Sequence, residues 1–130
     1  MAIELQQLLL AVLLGAGYWL VYALIAIVQV GAGYAVGPRD TPPDKAAVAT
    51  ARAGRALANY LETLPWFAIA VIVAHLAQKV DDTTIMAGWV YLAARALYLP
   101  AYIIAIPYTR SLIWVVATFA ILAIVIRTLG

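Results

Sequence analysis

Seven side chains in this sequence sit where polar groups are costly. Arg55, Asn59 and Glu62 fall at i, i+4 and i+7, and Arg52 precedes Arg55 by three. On a helix that spacing places all four along one face. Arg95, Tyr98 and Tyr102 form a second stripe at i, i+3 and i+7. Both stripes lie in stretches otherwise rich in apolar residues. A charge at membrane depth costs at least ~2.5–3.5 kcal/mol on insertion scales, so it faces a cavity or a partner. Two polar stripes on neighbouring helices therefore imply one shared polar site. One reading is purely structural: Glu62 neutralises Arg55 or Arg95 and locks two helices together. That explains Glu62 and one arginine, but not the remaining arginines and the two tyrosines. An excess of cations with hydroxyls suits an anionic ligand. An added acid suits a ligand that also has an ammonium group. This is the charge pattern of an amino-acid-like or peptide-like carboxylate held by bidentate arginine contacts.

The rest of the chain says where those stripes must lie. Of 130 residues, 67% are hydrophobic and 11% are charged, where a soluble domain averages about 25% charged. Six acids and eight bases cannot cover a water-facing surface. Disorder is excluded, because it needs low hydrophobicity and high net charge. Nucleic-acid binding is disfavoured by a net charge of +2 with unclustered bases. With no cysteine there is no disulfide, thiolate zinc site or iron–sulfur cluster. A single histidine argues against bis-histidine haem, and no metal site is expected. The composition describes one integral membrane domain over residues 1–130.

The expected architecture is an all-α, up-down bundle of four transmembrane helices, over about 5–30, 44–78, 84–106 and 110–128. Leu8 to Val28 carries no charge, which is long enough to span the hydrocarbon core. Gly31 to Asp44 has loop composition, with Thr41 or Asp44 placed to cap the second helix. Pro65 and Pro100 each remove a backbone donor and could bend their helices. The fourth span, Leu112 to Ile126, is short. His75 reads as an interfacial histidine, and Trp19, Trp66, Trp89 and Trp114 as belt or packing residues. Small residues such as Gly15, Ala53, Gly54 and Ala56 leave the first two long helices slim enough for close association. Basic residues near the helix ends divide as Arg39, Lys45, Arg52, Arg55 and Arg110 against Lys79 and Arg127. That bias puts both termini outside the cytoplasm and the first loop inside it.

The two stripes resemble the signatures of a known family. The run Arg52-Ala-Gly-Arg55-Ala-Leu-Ala-Asn59-Tyr-Leu-Glu62-Thr-Leu-Pro65 is similar to the second-helix signature of the MAPEG superfamily (membrane-associated proteins in eicosanoid and glutathione metabolism). Arg95-Ala-Leu-Tyr98-Leu-Pro-Ala-Tyr102 is similar to its third-helix signature. The resemblance covers essentially the whole chain. The Gly37-Pro38-Arg39-Asp40 and Leu64-Pro65-Trp66 runs look most like the bacterial branch.

The resemblance implies a homotrimer in a bacterial inner membrane, with periplasmic termini and sites between adjacent subunits. It implies glutathione as co-substrate, bound by Arg52, Arg55, Asn59, Glu62, Arg95, Tyr98 and Tyr102, with Glu62 on its ammonium group. It makes Arg110 the candidate catalytic residue, a cation stabilising the thiolate. The implied activity is glutathione transferase or peroxidase acting on lipophilic small molecules that enter from membrane lipid. The chain departs from the pattern at Thr63, where characterised glutathione users often have tyrosine, and between Val30 and Val36, which lacks an arginine. An alternative is a non-catalytic trimer of the same fold that binds a lipid or another anion. A further alternative is a small multidrug-type transporter, although such proteins usually carry their key acid in the first helix, and here that span has none.

Overall fold

The computed structural model describes residues 1–38 and 48–130. The uncharged stretch from Leu8 lies within one helix, α1 (Ile3–Gln29). A short helix, α2 (Ala32–Val36), follows it, within a stretch whose glycines and prolines had read as loop. Gly31 makes the break between them, with φ of 114°, a left-handed backbone that glycine adopts without steric cost. The remaining helices are α3 (Val48–Leu76), α4 (Asp82–Ile104) and α5 (Thr109–Leu129). No strand occurs among the described residues. Thr41 and Asp44, the expected caps of α3, lie outside them.

Four of these helices are long and apolar enough to cross a membrane, and the protein is an integral membrane protein. The last one runs for 21 residues, through Arg127, longer than its uninterrupted apolar run. At ~1.5 Å per residue the 29 residues of α3 extend roughly 43 Å, beyond a hydrocarbon core of about 30 Å. Both α3 and α4 continue as helix through Pro65 and Pro100.

Capping chemistry sets the helix ends. Asp81 accepts from the Thr84 backbone N–H at 2.9 Å, and Thr84 Oγ1 accepts from the Asp81 N–H at 2.9 Å. This reciprocal pair satisfies donors that the first turn of α4 leaves open. Arg127, near the end of α5, joins the same corner by donating from Nε to Asp81 at 2.9 Å. At the opposite end of the bundle, Gln29 Oε1 accepts from both the backbone N–H and the hydroxyl of Thr50. The end of α1 is thereby tied to the first turn of α3.

The most extensive helix pairings are α4 with α5 and α1 with α3. The second depends on small residues. Ala53 and Ala56 are wholly buried. A Cβ at Gly15 would come within 3.1 Å of the Tyr60 ring, and one at Gly54 within 3.1 Å of the Tyr22 ring. The small residues that leave these two helices slim are thus used for packing within the chain. Tyr60 donates its hydroxyl to the Ala11 carbonyl, and its ring stacks on Tyr18 with centroids 4.7 Å apart. His75 does not stand alone at its helix end. Its Nδ1 lies 2.8 Å from Glu4 Oε1, which fastens the start of α1 to the end of α3.

Candidate functional site

The stripes on α3 and α4 meet, and α5 completes the wall. Asn59 and Glu62 face a cavity of about 670 Å³ together with Arg55 from the same helix, Tyr98 and Tyr102 from α4, and Arg110 from α5. That volume is typical of a small-molecule pocket. The seven-residue spread from Arg55 to Glu62 covers two helical turns, so the wall is polar along about 10 Å of α3.

Arg95 takes a different place from the one expected of a ligand contact. It is wholly buried and lines neither polar cavity. Its Nη1 donates to Asn59 Oδ1 at 2.9 Å. Its guanidinium lies 4.2 Å from the Tyr98 ring centroid and 5.4 Å from that of Tyr60, distances at which an aromatic face attracts a cation. Its Nε and Nη2 have no hydrogen-bond partner. The Tyr18 hydroxyl donates to its backbone carbonyl. Arg95 therefore stands behind the cavity wall and holds two of its residues, Asn59 and Tyr98, in position.

Arg55 donates from Nε to the Tyr102 hydroxyl at 3.1 Å. Arg110 lies over the same tyrosine ring, 4.7 Å from its centroid. Tyr102 thus gathers two guanidinium groups from different helices at one mouth. The purely structural reading of Glu62 fails on this geometry. The ion pairs among the described residues are His75–Glu4 and Arg127–Asp81, and Glu62 joins neither arginine. Among the described residues, the cavity therefore presents one unpaired carboxylate across from unpaired cations.

Arg52 donates from Nη1 to the Ile103 carbonyl at 3.0 Å, satisfying a carbonyl that the end of α4 leaves open. It does not reach the first cavity. It faces a second hollow of about 430 Å³ at the α4–α5 turn, which shares Arg55, Tyr102, Arg110 and Ser111 with the first.

Ser111, Trp114 and Val115 also line the first cavity, and neither polar stripe points to them. Their signal was present in the spacing: with Arg110 they fall at i, i+1, i+4 and i+5, one helical face. Thr63 points elsewhere. It is buried, and its hydroxyl meets the Tyr60 carbonyl and the Tyr91 hydroxyl at 3.2 and 3.1 Å. Another hollow, between Met86, Val90, Val115 and Phe119 on α4 and α5, is largely apolar, with Asp82 and Thr83 as its polar lining residues.

No curated protein and no solved structure matches the chain. The family model described as the MAPEG family matches residues 8–130, a range that contains every residue of both polar cavities. On that match, which spans nearly the whole sequence and all four membrane helices, the chain belongs to the MAPEG family.

Proposed function

We propose that the first cavity binds glutathione and that the protein acts as a membrane glutathione transferase or peroxidase on lipophilic electrophiles. The observation that carries this reading is the unpaired Glu62 facing the unpaired Arg55 and Arg110 around one cavity. Glutathione has two carboxylates, one ammonium and a thiol. Arg55 and Arg110 would take carboxylate or thiolate, and Glu62 the ammonium, with Asn59 and the Tyr98 hydroxyl available as neutral partners. A guanidinium beside a thiol favours its thiolate form. Bound glutathione would supply that sulfur nucleophile, which forms a bond to an electrophilic carbon while the leaving group departs with its electron pair. Arg110, at the start of α5, also lies at the positive end of a helix dipole.

The wall residues Glu62, Arg110 and Trp114 are all exposed in the single chain. Side-on access of this kind suits a homotrimer with sites at subunit boundaries and lateral entry of substrate from lipid. The basic residues at the loop ends fit a bacterial inner membrane with both termini periplasmic.

The test is thermal unfolding in detergent. Glutathione at a hundred times its dissociation constant would stabilise the protein by about 2.7 kcal/mol. Glu62→Ala and Arg55→Ala should abolish the shift. No shift at millimolar glutathione would sink the reading. A second reading, a non-catalytic trimer that binds a lipid or another anion, is favoured by one observation. Thr63, where characterised glutathione users often have tyrosine, is committed to the core. A ligand other than glutathione found between α3 and α4, with no conjugation of a model electrophile, would select it.

A further inference from the structure

The second cavity differs from the first in charge. Its cations are Arg52, Arg55 and Arg110, joined by Tyr102, Tyr108 and Ser111, and no acid lines it among the described residues. None of the three arginines is ion-paired among the described residues. A zwitterion needs a carboxylate for its ammonium end, and none of the described lining residues supplies one. Three guanidinium groups with hydroxyls suit a compact group of pure negative charge with several acceptor oxygens, and phosphate is that group.

The arginines are also held in place. Arg52 uses one N–H on the Ile103 carbonyl, and Arg55 uses one on the Tyr102 hydroxyl. A guanidinium has five N–H donors, so each keeps donors in reserve on a fixed plane. Pre-set donors lose less freedom on binding. The turn that closes the cavity is itself strained. Ala105 and Tyr108 both have positive φ, at 59° and 63°, although neither is glycine. Tyr108 is 88% exposed beside Pro107. The turn joins the ends of two membrane-spanning helices, which places the cavity at the membrane–water boundary, the level of lipid phosphates.

We propose that this second cavity is a phosphate-binding site, distinct from the Glu62 cavity, that takes the phosphate of an anionic lipid head group or of a soluble phosphate compound. It does not depend on the glutathione reading. Because the two cavities share Arg55 and Arg110, a phosphate held there would also compete with any anion in the first.

The experiment is native mass spectrometry of the purified full chain in detergent. Dioleoylphosphatidylglycerol, dioleoylphosphatidylcholine and uncharged dioleoylglycerol are added at equal concentration, with and without inorganic phosphate. The expected result is retention of phosphatidylglycerol well above the other two. Arg52→Gln should lower that retention about tenfold, the loss of one charge-assisted contact. Arg110→Gln, which removes no hydrogen bond among the described residues, should do the same and covers the case in which Arg52→Gln misfolds. Competition by inorganic phosphate supports the head-group phosphate as the anchor. Inorganic phosphate that raises the melting temperature through Arg52, without selective lipid retention, supports the same site with a soluble source. Equal retention of all three lipids with no effect of phosphate overturns the proposal, as does phosphatidylglycerol retention unchanged in both variants. Glu62 lines only the first cavity, so Glu62→Ala should abolish a glutathione shift while leaving phosphatidylglycerol retention intact, and the two readings fail separately.

Discussion

Arg95 donates to Asn59 Oδ1 at 2.9 Å from inside the bundle, while Asn59 itself lines the cavity. The pair joins a wholly buried cation to the wall of a binding site. Removing Asn59 leaves that cation with aromatic faces alone. Asn59→Ala should therefore destabilise the protein by about 1.5–3 kcal/mol, the range for a hydrogen bond to a charged group. Arg95→Met replaces a guanidinium whose Nε and Nη2 are buried without a partner by an apolar chain of similar length, which removes their desolvation cost. It should cost less than Asn59→Ala while weakening glutathione binding, because Asn59 and Tyr98 lose what holds them. Denaturation in detergent and ligand titration separate the two effects, and equal losses of stability in both variants would contradict this account.

Arg110 supplies the second prediction. If it stabilises a thiolate, Arg110→Gln should slow conjugation about a hundredfold near neutral pH. The defect should shrink as pH rises past the ordinary thiol value of about 8.5, where the thiolate forms without help. A pH–rate profile with the same deficit at every pH would assign Arg110 to binding alone.

A third prediction concerns acid stability. The Thr84 backbone N–H, and after it Arg127, hold the Asp81 carboxyl below the usual carboxylate range. A carboxyl lowered in the folded state stabilises fully above its unfolded value and loses that contribution as pH falls through its folded value. The wild type should therefore lose melting temperature on acidification below the ordinary Asp range. Asp81→Asn keeps a good helix cap but cannot titrate, so its melting curve should be flatter over that interval. Identical acid limbs for the two proteins would rule out Asp81 as a contributor.

A fourth rests on close packing between α1 and α4. A Cβ on Gly88 would lie 2.1 Å from Gln7 Oε1 and 2.6 Å from its Cδ. Gln7 is wholly buried and donates to the Ile85 carbonyl at 2.8 Å. Gly88→Ala must displace it and break that bond, at a cost of about 1–3 kcal/mol. Adding Gln7→Ala should recover part of the loss, because the two changes share one space. A strictly additive double variant would show that the two residues do not interfere.

Much of this protein could be read from spacing alone. A stretch of 21 residues without charge must be a membrane helix, because no other short element satisfies its backbone in lipid. Arg55, Asn59 and Glu62 had to share a helical face, since 3.6 residues per turn leave no alternative. Arg95, Tyr98 and Tyr102 shared another for the same reason. Periodicity cannot rank residues on one face by depth, however. Arg95 and Tyr102 lie on the same stripe, yet one is sealed behind Asn59 and the other opens to two cavities. That outcome depends on how α3 crosses α4 and on which aromatic rings fill the space. The same holds for Glu62, which shares a helical face with Arg55 yet joins it in no ion pair among the described residues. Glu4 and His75 are 71 residues apart, and no local pattern could pair them. Sequence determined which polar groups would be costly and on which helix they ride. Tertiary packing decided which of them are neutralised inside the bundle and which remain available to a ligand.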